Sequence, residues 1–182
     1  MSCFVTVGTT LFEDLINQVL SEKCVENLKK VGVKSIKSQI GKGNFEKSTL
    51  DRVFGELADK SDQGKANYQG INVEFYRFKP SISGDMAEAF IIIGHAGAGT
   101  CLEALALQKP FITVTNDKLM DNHQTELADK LSDDGHLLQC TPMTLADSIL
   151  NENLFKLRPF KPASKNLVAE HIRELVGVQK LQ

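Results

Sequence analysis

The sequence predicts an α/β fold, a Rossmann-like, mostly parallel open sheet flanked by helices. Three observations predict it. β-rich runs alternate with segments of helical periodicity along the chain. Two of those runs, Phe90–Ile93 and Pro110–Thr115, are almost continuously apolar, as strands buried on both faces are. Two runs also stop at glycine-containing turns that lead into helical segments, and in doubly wound sheets ligands gather at such strand ends.

Cys3–Val7 (CFVTV) is the first strand and stops at Gly8-Thr9-Thr10. Phe12, Leu15, Ile16, Val19, Leu20 and Leu28 then form a helical stripe with a period of about 3.6 residues. Ser35–Ile40 is a weaker strand, closed by Gly41 and Gly43. The stretch 44–70 is polar and rich in Lys and Asp; Leu50, Val53, Phe54 and Leu57 keep helical spacing, so a short helix followed by a mobile loop is expected. Asn72–Phe78 is a third strand ended by Pro80, and Gly84–Ala89 is at most a short helix. Phe90–Ile93 runs straight into Gly94-His95-Ala96-Gly97-Ala98-Gly99-Thr100 and a helical segment with Leu102, Leu105 and Ala106. Pro110–Thr115, Asp121–Leu131, Leu137–Cys140 and Thr144–Leu150 continue the alternation as strand, helix, strand and helix. Pro159 and Pro162 punctuate a connector to a last helix with Leu167, Val168, Ile172, Leu175 and Val176 on one face. Residues 1–150 thus read as one domain with an insertion at 44–70, and 151–182 as connector and terminal helix.

Length and composition narrow the function. The chain has 182 residues, 42% hydrophobic and 24% charged, enough for one domain with a proper core. A formal charge of −2 offers no basic field for nucleic acid. The longest apolar stretch, Met86–Leu107, is broken by Glu88, His95 and Glu103, so no membrane span is expected. A strand starting at Cys3 leaves no room for a signal peptide. Cys3, Cys24, Cys101 and Cys140 are far apart, which argues against a disulfide framework or zinc site and for a reduced, cytoplasmic setting.

The strand–GHAGAG–helix segment is the strongest local signal. Glycines let backbone approach a ligand, and the free N–H groups of a helix start attract an anion such as a diphosphate. GxGxxG beginning at Gly97 and Gly99 fails at Leu102, and GxxxxGK[ST] from Gly94 and Gly99 fails because Thr100 replaces the lysine. A turn serving only chain geometry is the plain alternative. Glu103, about one turn into the helix, either accepts bonds from vicinal ribose hydroxyls or is an ordinary first-turn acid. Thr9 or Thr10 either lies beside a ligand or caps the first helix. Asp121, Asn122, His123 and Gln124 follow the strand at Pro110–Thr115; they suit a sugar's hydroxyls, or form a polar loop with an Asp cap. His95 is either a general base or a structural histidine. No metal site and no DxD-type motif is seen, so no cofactor or metal is expected.

Taken together, GHAGAGTCLEAL, KPFITVTNDKLMDNHQTELADKL, the opening FVTVGTTLFEDLI and the late strand GHLLQC resemble, in order, the carboxyl-terminal domain of family 28 glycosyltransferases. Those enzymes have the two-domain GT-B fold. Within them the chain is similar to the small subunits of two-part UDP-N-acetylglucosamine transferases, the asparagine-linked glycosylation 13 family. The resemblance implies the donor-binding half of a GT-B enzyme that moves GlcNAc, with inversion, from UDP-GlcNAc to dolichol-diphosphate-GlcNAc in a β1,4 linkage, the second step of lipid-linked oligosaccharide synthesis for N-glycosylation. It implies that Gly97, Ala98, Gly99 and Thr100 face the diphosphate, with Gly8, Thr9 and Thr10 near it. Glu103 would bond the ribose, His123 and Gln124 the donor sugar with Asp121 and Asn122 beside them, and Arg77 and Phe78 would wrap the uracil.

The same resemblance implies a missing half. The acceptor-binding domain would be a membrane-anchored partner of the asparagine-linked glycosylation 14 type, recruiting this chain to the cytosolic face of the endoplasmic reticulum. The Leu167–Val176 face would then either pack on its own domain or dock on that partner. His95 is the one catalytic candidate in this chain. Two other readings stay open: a non-catalytic nucleotide-sugar-binding regulatory module, and a self-sufficient homodimeric transferase.

Overall fold

A computed structural model of the chain describes residues 1–55, 61–116 and 123–161, without the side chains of residues 123–125. Seven strands, β1 (Ser2–Thr6), β2 (Ser35–Gln39), β3 (Gln63–Tyr68), β4 (Ile71–Tyr76), β5 (Ile91–His95), β6 (Phe111–Val114) and β7 (Leu138–Cys140), form one sheet in the order β3-β4-β2-β1-β5-β6-β7. Every neighbouring pair is parallel except β3 with β4. The helices are α1 (Glu13–Val19), α2 (Glu22–Lys30), α3 (Lys47–Val53), α4 (Ser83–Glu88), α5 (Ala98–Ala106), α6 (His123–Asp133) and α7 (Leu145–Ile149).

The alternation of the central strands explains the apolar runs. Ile91 and Ile93 of β5 join Val5, Ile36 and Val73 in a core completed by Leu15, Ile16, Leu28, Leu145 and Ile149. Ile92 points the other way and joins Phe4 and Phe111 under Met86, Cys101, Ala104, Leu105 and Leu131. A strand apolar at consecutive positions is therefore a strand covered on both faces. Of residues 151–161, Leu154 is fully buried and Phe155 is stacked on Phe90 at 5.6 Å between ring centroids, so this segment packs on the same body.

The structure departs from the sequence reading in three places. The stripe from Phe12 to Leu28 belongs to two helices, because Ser21 is extended (ψ 152°) and its hydroxyl accepts the Cys24 N–H, starting α2 anew. The first helix is not capped by Thr9 or Thr10: its N-cap is Phe12, with no side-chain bond. Within 44–70, α3 forms as expected, but residues 63–68 are the edge strand β3 rather than a loop; Leu57 lies outside the described residues. β3 escapes a hydropathy pattern because its inward positions include Gly64 and Ala66. A Cβ at Gly64 would lie 2.4 Å from Phe75 Cε1, so the ring of Phe75 occupies the space a larger residue would need. Phe75 packs in turn against Phe45 and Phe54 at 5.2 and 5.0 Å.

Candidate functional site

From β1 the chain adds strands outward on one side, β2 and then β4, and from β5 outward on the other, β6 and then β7. The crevice at the carboxyl ends of β1 and β5 is the reversal point, where open α/β sheets bind ligands. Thr6 of β1 stands level with Gln39 of β2 and Gly94 of β5, so the turns that follow lie side by side.

The first turn is held by Gln39, a buried polar residue that sequence reasoning missed. Its Oε1 accepts the Thr6 hydroxyl at 2.6 Å and the Gly8 N–H at 2.9 Å. Its Nε2 donates to the carbonyls of Gly8 (2.8 Å) and Arg77 (2.9 Å). One side-chain amide thus ties together the ends of β1, β2 and β4. Gly8 itself has φ +59°, which favours glycine.

His95 closes β5, and its ring is wedged between two glycines. A Cβ at Gly8 would lie 2.7 Å from His95 Cε1, and one at Gly97 only 2.2 Å from Nε2. Burial lowers the His95 pKa, with the nearby Thr6 backbone pulling the other way, and its buried Nδ1 has no hydrogen-bond partner. Gly94 is also needed for packing, since a Cβ there would meet Phe111 and Thr100 at 3.2 Å. Gly99 differs: nothing lies within 4 Å of the place its Cβ would take. Gly97 is the N-cap of α5, and the first bond of the helix runs from Cys101 N–H to the Gly97 carbonyl at 3.0 Å. Helix geometry leaves the N–H groups of Ala98, Gly99 and Thr100 without partners inside α5, an electropositive end for an anion.

A cleft of about 330 Å³ joins Gly8, Thr9 and Gln39 to Phe78, the segment Lys79–Ser83 and Glu103. Four of the expected donor residues, Gly8, Thr9, Phe78 and Glu103, therefore share one hollow. Phe78 is 54% exposed there, a large aromatic ring in the wall of the cleft. Glu103 accepts a hydrogen bond from the Ser83 hydroxyl. Arg77 is otherwise engaged: its guanidinium donates to the carbonyl of Gly43 at 2.8 Å and to Asn44 Oδ1 at 3.0 Å, and pairs with Asp62 at 3.1 Å. Thr10 sits in the turn itself, its N–H bonded to the Val7 carbonyl. Of the sugar-facing set, His123 and Gln124 open α6, with side chains outside the described residues, as are Asp121 and Asn122. Leu167, Val168, Ile172, Leu175 and Val176 lie outside them too.

The wall of the cleft is anchored by Asp85, also missed in the sequence. It accepts Lys37 and Lys79 ammonium groups at 2.8 Å each and the Tyr76 hydroxyl at 2.6 Å. Burial alone would raise its pKa, but the three hydrogen bonds hold it down to about 2, so the knot stays charged at neutral pH. A larger hollow of about 530 Å³ lies over β1, β2 and β4, beside Lys37, Glu74 and Asp85, and holds none of the expected site residues. The four cysteines are buried free thiols; burial pushes Cys101 up to about 11 and Cys140 up to about 12, which makes neither a nucleophile. Among the described residues no group of three His, Cys, Asp or Glu side chains is arranged to hold a metal, and no helix is long and apolar enough to cross a membrane.

The architecture is that of one half of a GT-B glycosyltransferase. MurG of Acinetobacter baumannii superposes over 96% of this chain and 49% of its own, with a TM-score of 0.65 at 20% identity. The chain belongs to the glycosyltransferase family 28 C-terminal domain family, whose model matches residues 2–176, and within it to the ALG13 subunits. It is 38% identical over 143 residues to the mouse UDP-N-acetylglucosamine transferase subunit ALG13, covering 79% of this chain but spanning only 11% of that relative's length. It also resembles the solution structure of an ALG13 protein, with 27% identity, a TM-score of 0.67 and 94% of each chain covered.

Proposed function

We propose that this chain is the catalytic, donor-binding subunit of a two-chain inverting transferase. It would move GlcNAc from UDP-GlcNAc to dolichol-diphosphate-GlcNAc and form the β1,4 linkage. The observation that carries the proposal is the cleft beside the turn after β1, where Gly8, Thr9, Phe78 and Glu103 meet in a family 28 domain.

Each residue then has a task that follows from its chemistry. Phe78 offers its exposed ring to the uracil. Glu103 accepts the vicinal ribose hydroxyls, which a carboxylate with two oxygens suits. The N–H groups of Ala98, Gly99 and Thr100 receive the diphosphate. As the acceptor hydroxyl attacks the anomeric carbon, the bond to UDP breaks and negative charge grows on the departing phosphate. A preorganised helix start stabilises that charge without reorganising. His123 and Gln124, at the opening of α6, orient the sugar. His95 is this chain's candidate for taking the acceptor proton. Its lowered pKa keeps the imidazole neutral at pH 7, the form a base requires.

A GT-B site is closed by two domains, and this chain matches one of them. The other half is proposed to come from a membrane-anchored, acceptor-binding subunit of the asparagine-linked glycosylation 14 type, on the cytosolic face of the endoplasmic reticulum. The Leu167–Val176 face is the proposed dock. The test is a transferase assay with UDP-GlcNAc and a short dolichol-type diphosphate-GlcNAc acceptor. The chain is assayed alone, with membranes carrying the partner, and as Glu103→Ala in those membranes. Activity is expected only with the partner. Loss of a hydrogen bond to a charged group should lower kcat/KM of the variant by about ten-fold to a hundred-fold. Activity of the chain alone would overturn the two-chain reading; UDP binding without activity in any mixture would favour a regulatory nucleotide-binding module.

A further inference from the structure

We propose that Ser83 is a positioning residue for the donor's ribose, orienting the Glu103 carboxylate toward the cleft. This rests on the donor-site reading given above and extends it to a residue on a different element. Glu103 stands on α5, and its partner is the first residue of α4, twenty positions earlier in the chain. The Phe78–Ile82 segment, Ser83 and Glu103 line the same cleft, and the two side chains meet at its wall.

Ser83 is not a loose surface hydroxyl. Its N–H donates to Ser81 Oγ at 3.2 Å, and Ser81 Oγ in turn donates to Ser83 Oγ at 3.1 Å. With that bond received, the Ser83 proton is directed onward, and it goes to Glu103 Oε1. The donor chain therefore runs one way, Ser81 to Ser83 to Glu103, and ends on the acceptor. Two residues along α4, Asp85 is bonded to β2 through Lys37, to β4 through Tyr76 and to the connecting segment through Lys79. The ammonium of Lys79 also lies 4.0 Å from the centroid of the Tyr76 ring. Met86 is fully buried beside it. The backbone that carries Ser83 is thus pinned to two strands.

A glutamate on a partly exposed helix face has many rotamers, and a ligand that needs one of them must order it. That ordering weakens binding by about two-fold to twelve-fold for a flexible side chain. Ser83 meets this cost before the ligand arrives. It also leaves the carboxylate able to accept more bonds, since two oxygens offer about four lone-pair sites. Competition with the ribose is the opposite possibility, and it predicts a change of opposite sign.

The test is a heteronuclear NMR titration of the full chain with UDP and with 2′,3′-dideoxy-UDP, in wild type, Ser83→Ala, Ser83→Thr and Glu103→Ala. The amide spectrum reports in the same experiment that each variant is folded. Ser83→Ala is expected to weaken UDP about five-fold, the size of ordering one long side chain, and to leave the dideoxy compound within about two-fold of its wild-type affinity on the same scale. Ser83→Thr, which keeps the hydroxyl, should restore most of the difference. Unchanged or tighter UDP binding in Ser83→Ala would overturn the inference, while Glu103→Ala still losing its preference for UDP would leave the donor site intact. If wild type binds neither nucleotide, or Glu103→Ala discriminates as wild type does, the donor-site reading itself falls.

Discussion

The turn after β1 and the turn after β5 meet at the same crevice, yet they use their backbone in different ways. At the first, the Gly8 N–H is taken by Gln39 Oε1 and by Thr6 Oγ1 (3.1 Å), and its carbonyl by Gln39 Nε2. Its polar groups are spent on the fold. At the second, Gly94 and Gly97 make room for Phe111, Thr100 and His95, and then α5 opens with Gly99 facing empty space. A glycine at a strand end therefore does not by itself mark a ligand site. What distinguishes the two turns is whether backbone donors remain after internal bonds are counted, and by that measure the start of α5 is where the proposed anion site falls.

Removing the lock on the first turn should have the largest effect. Gln39→Leu leaves the buried Thr6 hydroxyl without its acceptor and the part-buried Gly8 carbonyl without its donor, while the Gly8 N–H keeps Thr6 Oγ1. At about 1–3 kcal/mol for each such polar group left unpaired, a loss of about 2 kcal/mol or more is expected in urea unfolding. A loss below about 1 kcal/mol on that scale would mean water replaces the amide and the turn is not locked. Gly97→Ala comes next. Its methyl would enter the His95 ring at 2.2 Å, an overpacking expected to cost about 1–3 kcal/mol. In a His95→Ala background the same substitution should cost under about 1 kcal/mol, because the ring it strikes is gone. Additive effects in that double-mutant cycle would show that His95 is not the reason for glycine at 97.

The strands of the centre were legible because their burial is written in consecutive apolar residues: Phe90–Ile93 needs no partner to be recognised. β3 was not, since Gly64 and Ala66 make its inward face small to suit Phe75, and no periodicity records a neighbour's size. The glycine turns were legible as turns, and the family resemblance marked Phe78 and Glu103, which the cleft brings together. Gln39, Ser83 and Asp85 were invisible because their partners lie far along the chain: Gly8 is 31 residues from Gln39, Glu103 20 from Ser83 and Lys37 48 from Asp85. Arg77 shows the reverse limit. Its position beside Phe78 was readable, but the attachment of its guanidinium to Gly43, Asn44 and Asp62 appears only once the loop after β2 is folded against it.

Within the second turn, Gly97 and Gly99 differ in the same way. Gly99 is the second residue of α5, outside the left-handed region, with nothing within 4 Å of a Cβ. Alanine there satisfies the helix better than glycine, so Gly99→Ala should leave stability unchanged or raise it by up to about 1 kcal/mol. Its methyl would stand beside the N–H groups of Ala98, Gly99 and Thr100, where the proposed diphosphate site lies. UDP affinity measured by NMR titration should therefore fall about ten-fold, equivalent to about 1.4 kcal/mol. Gly97→Ala loses stability through His95; Gly99→Ala loses ligand while the fold is kept. If Gly99→Ala instead unfolds the domain, or binds UDP as wild type does, the open end of α5 is not the anion site and the division between the two turns fails.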